Sequence, residues 1–431
     1  LEANTTASFN TGVGRNALAL NTTGANNTAL GYNSLVANTT ASNNTAVGSN
    51  ALLVNTTGST STAVGASALA ANTTGAENTA VGHVALATNT TGASNTAFGR
   101  ASLNANTTAS YNTAYGTDTL QVNTTGANNT ATGYRALFVN TTGANNTAVG
   151  LSALGGNTTG TENVAIGPSA LAGVTTGYEN IGIGRGTGLG ITTGIRNTFI
   201  GDDAGYLITG GSENTIIGRY NGNNGGLDLR TSSNNIVLSD GAGNPRLHIN
   251  SNGFCLLGTT DETIFNHGAS GDDGVSIGTN SMQMARSNDQ MLLLNRMDST
   301  GGVAGFYYNG TGVGSISVGA SSTAYNTSSD HRLKENVSYE WDATTRLKQL
   351  KPARFNFIAM PDTIVDGFLA HEAQAVVPEA VHGTYNQVDD DGVAVMQGID
   401  QSKLVPLLVK AIQEQQALIE SLTARITTLE G

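Results

Sequence analysis

The chain has 431 residues, of which 12 % are charged, 38 % hydrophobic and 5 % aromatic, with 56 glycines and a net charge of −12. Charge is about half the globular average of roughly 25 %, and no segment is basic, which excludes a nucleic-acid footprint. The single Cys255 rules out an intrachain disulfide and a thiol-based metal site, and no run approaches the ~18 apolar residues of a membrane helix.

All five lysines (Lys334, Lys348, Lys351, Lys403 and Lys410) lie in the last 98 residues, so composition alone marks off a different C-terminal domain. The chain begins at Leu1 without methionine, which leaves room for a leader or an upstream domain ahead of it.

Residues 1–224 are a repeat. Thirteen glycines, Gly14 to Gly218, stand 17 residues apart without a slip, in a unit that reads NTTGAxNTAVGxxALxx. Seventeen residues are too few for a helical pair, and Thr, Val, Gly and Asn favour strands and tight turns. The expectation is a mainly β fold in which thirteen coils stack as a solenoid, about 60 Å long at the spacing of parallel strands. Two apolar columns are expected inside: Val13, Leu30, Val47 and onward to Ile217, and Leu18 through Leu171.

Asn4, Asn21, Asn38 and onward to Asn157 open ten Asn-Thr-Thr triplets that match the glycosylation acceptor pattern. Asparagines stacked under about 5 Å apart cannot all carry glycans, so these read as a hydrogen-bonded ladder. The threonine array leaves open a water-ordering face of the kind found in ice-binding solenoids. With no aspartate column, calcium-binding repeats are excluded. Past Asn157 the column turns to Val174, Ile191 and Ile208, and the leucine column lapses at Gly188 and Gly205. That change suggests an end covered by a neighbouring chain or the next domain. The NTAxG-type repeats resemble the left-handed β-roll heads of trimeric bacterial adhesins.

Residues 225–328 contain short alternating runs (NNIVLSD, PRLHINSNG, FCLLGTTD, QMLLLNRMD and GGVAGFYYNGTGVGSISVG) divided by Gly, Asn and Asp turns. They predict strands and hairpins. Large apolar residues are too few for a separate core, so a connector built by three chains around one axis is expected. His248 and His267 have no second ligand set nearby and read as ordinary histidines; no metal or cofactor is expected.

In residues 329–431, AYNTSSDHRLKENV, LKPARFNF and GFLAHEAQAVVPEAV resemble the intramolecular chaperone of endosialidase-type phage tail spikes and fibres. The resemblance implies a small α+β domain that trimerises its chain and then cuts itself off between Ser328 and Ser329. It assigns Ser329 as nucleophile and Lys334 as its base, and matches Asp330 and Arg332 to a polar framework that serves orientation or chain-to-chain pairing. A serine hydroxyl needs such a base, and a partly desolvated lysine can be one. His371 and Glu372 stand where the family more often has Gln-Glu, and Gln401 replaces a common tyrosine. His371 is either a second base or a structural residue on a helix face.

Val405, Ile412, Ile419 and Ile426 recur every seven residues, with Leu408, Gln415, Leu422 and Leu429 three later, giving a coiled coil over 403–430. Ile at a with Leu at d suits dimers; the resemblance implies a homotrimer. Three functions remain open: a phage tail fibre binding a host surface glycan or protein, a bacterial trimeric adhesin with the same chaperone, and an ice- or surface-binding solenoid. All are located on a virion or extracellular surface. A depolymerase is disfavoured, because Glu77, Asp118, Glu162 and Glu179 stand singly rather than in pairs.

Overall fold

The computed structural model describes residues 2–262, 274–278, 281–286, 292, 294, 301–389 and 392–431. His267 and most of the 290–298 run lie outside the described residues. The chain divides into two units, Leu1–Leu293 and Leu294–Gly431.

The first unit is the solenoid. Each coil contributes one three-residue strand, from Thr11–Val13 to Thr215–Ile217. Successive strands pair in parallel and in register, as in Thr79↔Thr96, Ala80↔Ala97 and Val81↔Phe98. Side chains alternate faces along a strand, so a Thr-Ala-Val strand points either its middle residue inward or its two flanks. It is the alanines, Ala29 through Ala165, that are fully buried. Val13, Leu30 and the rest of that column face outward, with Val13 54 % and Leu30 48 % exposed. The expected inner valine column is therefore wrong by one residue of phase. The coil is too narrow for two branched columns to face each other, and the leucines already occupy it.

Ten leucines from Leu18 to Leu171 are fully buried with φ between 48° and 53°. Left-handed backbone costs a leucine about 1–2 kcal/mol, and burying its side chain recovers roughly 2 kcal/mol or more. At Gly188 and Gly205 the same left-handed φ persists without a side chain. Phe199 fills the space, so that a Cβ on Gly188 would meet its ring at 2.8 Å. The repeating glycine column has another cause: a Cβ on Gly116 would lie 2.7 Å from the Gly133 carbonyl oxygen one coil on.

Both asparagine columns are ladders. Asn89 Nδ2 donates to Asn72 Oδ1 at 2.9 Å and to Gly92 O at 2.9 Å, and its own Oδ1 accepts from Asn106 at 2.8 Å. These asparagines, Asn21 to Asn157, are fully buried, which is the structural role expected of them. The first ladder stops at Asn157, whose Oδ1 is left without a donor because Val174 follows it. Val174, Ile191 and Ile208 are fully buried within the unit itself. Of the two kinds of cover expected for the apolar end, the following segment is the one seen: Leu227, Leu229 and Val237 share one core with Val174, Ile191 and Ile208.

The ladder of coils runs one rung past the thirteenth. Ile236–Ser239 pairs in parallel with Thr215–Ile217, and Asn235 N bonds Asn214 Oδ1 across 21 residues rather than 17. Antiparallel strands Pro245–Ile249, Cys255–Leu257, Gly274–Ile277 and Met282–Ala285 then extend the same sheet. His248 is buried, with Nε2 3.1 Å from Asn235 Oδ1, a structural histidine at the end of the second ladder.

The second unit holds an antiparallel sheet of Gly301–Tyr308, Thr311–Val318 and Thr323–Thr327. After it come helix α1 (Ala343–Leu347), a hairpin of Ala353–Phe357 with Met360–Gly367, helix α2 (Ala370–Gln374) and the 26-residue helix α3 (Val405–Glu430). Its core is small: Ala343, Val377, Ala380, Leu404, Leu407 and Ala411, with Leu347, Leu350 and Phe368 packed against it.

Candidate functional site

The strand Thr323–Thr327 ends in a tight turn. Ser328 N still bonds Val313 O at 3.0 Å, and Asp330 then caps a single 3-10 turn, His331–Leu333, by accepting from Arg332 N. A short aspartate suits that cap, since its carboxylate reaches a backbone N–H two residues on. The turn folds Lys334 back, so that Lys334 Nζ donates to Ser329 Oγ at 2.7 Å. The two residues assigned to self-cleavage are therefore in direct contact, and both are exposed in the single chain.

Arg332 forks onto Asp330, Nε to Oδ1 at 2.9 Å and Nη2 to Oδ2 at 2.7 Å. That guanidinium holds the Asp330 carboxyl below the usual carboxylate range. A carboxylate so occupied braces the turn and is a poor proton acceptor. His331 Nδ1 lies 3.5 Å from Asp330 Oδ1.

His371 and Glu372 sit on α2. The His371 ring lies against Tyr385 at 4.6 Å between centroids, and Glu372 pairs with Lys351 at 3.4 Å. Among the described residues, no hydrogen bond or ion pair joins either of them to Ser329 or Lys334.

Helix α3 has two apolar faces. Leu407 and Ala411, following Leu404, turn into the module core. Val405, Leu408, Ile412, Ile419, Leu422, Ile426 and Leu429 face away from it and are 44–83 % exposed. The heptad stripe is uncovered by its own chain.

Two anchoring residues escaped sequence reasoning. Glu414 on α3 accepts from Ala343 N at 3.0 Å and Thr344 N at 2.8 Å, capping α1. Arg346 donates to Val376 O at 2.8 Å and to Glu379 at 2.9 and 3.1 Å. Their partners lie 71 and 33 residues away, beyond any local spacing signal.

Residues 329–382 match the family model described as chaperone of endosialidase. The match opens on Ser329 and spans the 3-10 turn His331–Leu333, α1, the hairpin and α2. The C-terminal module thus carries a chaperone segment of that type, joined in one chain to a β-solenoid, as in a tail-fibre-like protein. No curated protein and no solved structure matches the chain.

Proposed function

We propose that this chain forms a homotrimeric tail fibre of a phage that attaches to a host surface glycan or protein. Its C-terminal module registers three copies and then releases itself by cutting between Ser328 and Ser329. The observation that carries the reading is the 2.7 Å contact of Lys334 Nζ with Ser329 Oγ at the first residue of the chaperone match.

In the cut, Ser329 Oγ attacks the Ser328 carbonyl carbon and gives its proton to Lys334 Nζ. The Ser328–Ser329 C–N bond breaks as the nitrogen takes up a proton, and water then hydrolyses the ester. The lysine must be neutral to accept, and removal from water favours the neutral amine. In one chain the pair is exposed, so packing of three modules supplies the missing burial. Cutting then waits for assembly. Bringing the chains together through α3 first offsets the entropy of aligning them in non-local β structure. Loss of the module afterwards leaves a shaft locked kinetically, because its assembly aid is gone.

Ser329→Ala and Lys334→Ala should each leave an intact 431-residue chain that still trimerises, as read by intact mass and light scattering. Ile412→Asp with Ile419→Asp should abolish both trimer and cutting. Release of residues 329–431 from either alanine variant would refute the assignment.

A further inference from the structure

The solenoid sheet has an outer face that no charged residue interrupts. Two outward columns run along it, the first and third residues of each strand. From coil to coil they read Thr11, Thr28, Thr45 on one side and Val13, Leu30, Val47 on the other. Charged side chains occur elsewhere on the coils, as in Glu77, Arg100, Asp118, Arg196 and Glu213. In the later coils the first column itself turns apolar, at Val164 and Ile181.

Beyond the thirteenth coil both outward columns become apolar. The registers place Ile236, Ile249, Cys255, Ile277 and Met282 in one outward line. Leu238, Leu247, Leu257, Val275 and Met284 form the other. The residues between them, turned toward the interior, include His248 and Ser276, both buried. Ten apolar side chains therefore lie on the outside of this part of the sheet, while its inner line mixes the buried Val237 and Leu256 with the buried His248 and Ser276. Ile236, Leu238, Leu257 and Ile277 are about 40 % exposed and Met282 is 62 % exposed.

We infer that this face, from Val13 to Met284, is the contact along which copies of this chain pack around a common axis. The inference rests on the trimeric reading above and adds the surface that reading lacks. Three observations select a second copy as the occupant. The columns keep the coil register throughout, so an identical chain lying parallel presents a matching column at every rung. The bare heptad stripe on α3, packed around a three-fold axis, sets neighbouring chains in that same direction. The stripe is also of interface size: eighteen strands at about 4.8 Å and roughly 10 Å of width give on the order of 900 Å² per chain, near the ~800 Å² of a standard interface. The bulky Phe98 and Tyr115, stacked at 4.9 Å, stand in the valine column beside the threonines, where they roughen a face that an ice lattice would need flat and suit a protein contact.

Cys255 is a native reporter on this face. In the full chain it should resist maleimide while the protein is folded and react at once in urea, whereas Thr142→Cys, on an exposed column of the coils, should react in both. In a Cys255→Ser background, Val149→Cys should form a disulfide between copies under mild oxidation, one per trimer, leaving a third chain free. A light-scattering trimer in which Cys255 labels as fast as Thr142→Cys, and Val149→Cys stays unlinked, would overturn the face and leave the trimer standing. A monomer would overturn both.

Discussion

The shaft and the C-terminal module solve the same problem in opposite ways. In the shaft one chain buries its leucines and alanines and bonds its asparagines within its own coils, because each repeat offers the next an identical partner. The module has a six-residue core and leaves the apolar heptad of α3 bare. Repetition makes the inside of the shaft self-sufficient; the helix, in the trimeric reading proposed above, is completed by other copies of itself. Stability should then depend on position within the coil in one unit and on concentration in the other.

The largest effect should come from adjacent residues of one strand. Ala80 is fully buried, and Ala80→Asp places an unpaired charge in the coil interior, costing upward of ~4 kcal/mol and removing the β-sheet circular dichroism of the shaft. Val81 points outward, so Val81→Asp should keep that spectrum and weaken only association between chains. Equal loss of the spectrum in both variants would contradict the phase of the strand.

The asparagine ladder sharpens the contrast at smaller scale. Asn89→Val leaves Asn72 Oδ1 without a donor and takes one of two bonds from Gly92 O and from Asn106 Nδ2, a loss of about 1–3 kcal/mol for the buried group left unsatisfied. Asn157→Val likewise takes the donor from Asn140 Oδ1, but the Oδ1 it removes already lacks a donor and one valine then sits against Val174, so its cost should be the smaller of the two. Chemical denaturation of the two variants measures the difference.

What the sequence disclosed follows from the same geometry. A column shows in the sequence when one residue type alone fits it, as glycine does where a Cβ on Gly116 would sit 2.7 Å from a carbonyl, or asparagine where it both donates and accepts across coils. The valine phase did not show, because Thr-Ala-Val is amphipathic in either direction and only the width of the coil selects alanine. At the end of the repeat the change to Val174, Ile191 and Ile208 signalled cover but not its source, because Leu227, Leu229 and Val237, which share that core, carry no repeat signal of their own. In the module, Ser329 and Lys334 were legible through the family motif and not through any chemistry of a serine near a lysine. The Glu414 cap, 71 residues from its helix, has no local signature.

The smallest effect is a pH dependence where the shaft ends. Asn235 Nδ2 donates to Asn214 Oδ1, Ser232 Oγ and Ser233 O, which fixes its Oδ1 as the acceptor facing His248 Nε2. The imidazole proton is therefore on Nε2, and Nδ1 is buried without a partner. Burial pushes the His248 pKa below its ordinary value, with Glu262 pulling weakly the other way. Below about pH 6.5 the unfolded chain binds a proton that the folded one resists. Stability should accordingly be full above that pH, decline as pH falls through it, and level off below the folded pKa. His248→Gln keeps an amide donor for Asn235 and cannot titrate, so its melting temperature should lose this slope between about pH 7.5 and 5.5. Parallel curves for the variant and the parent chain would show that the slope arises elsewhere.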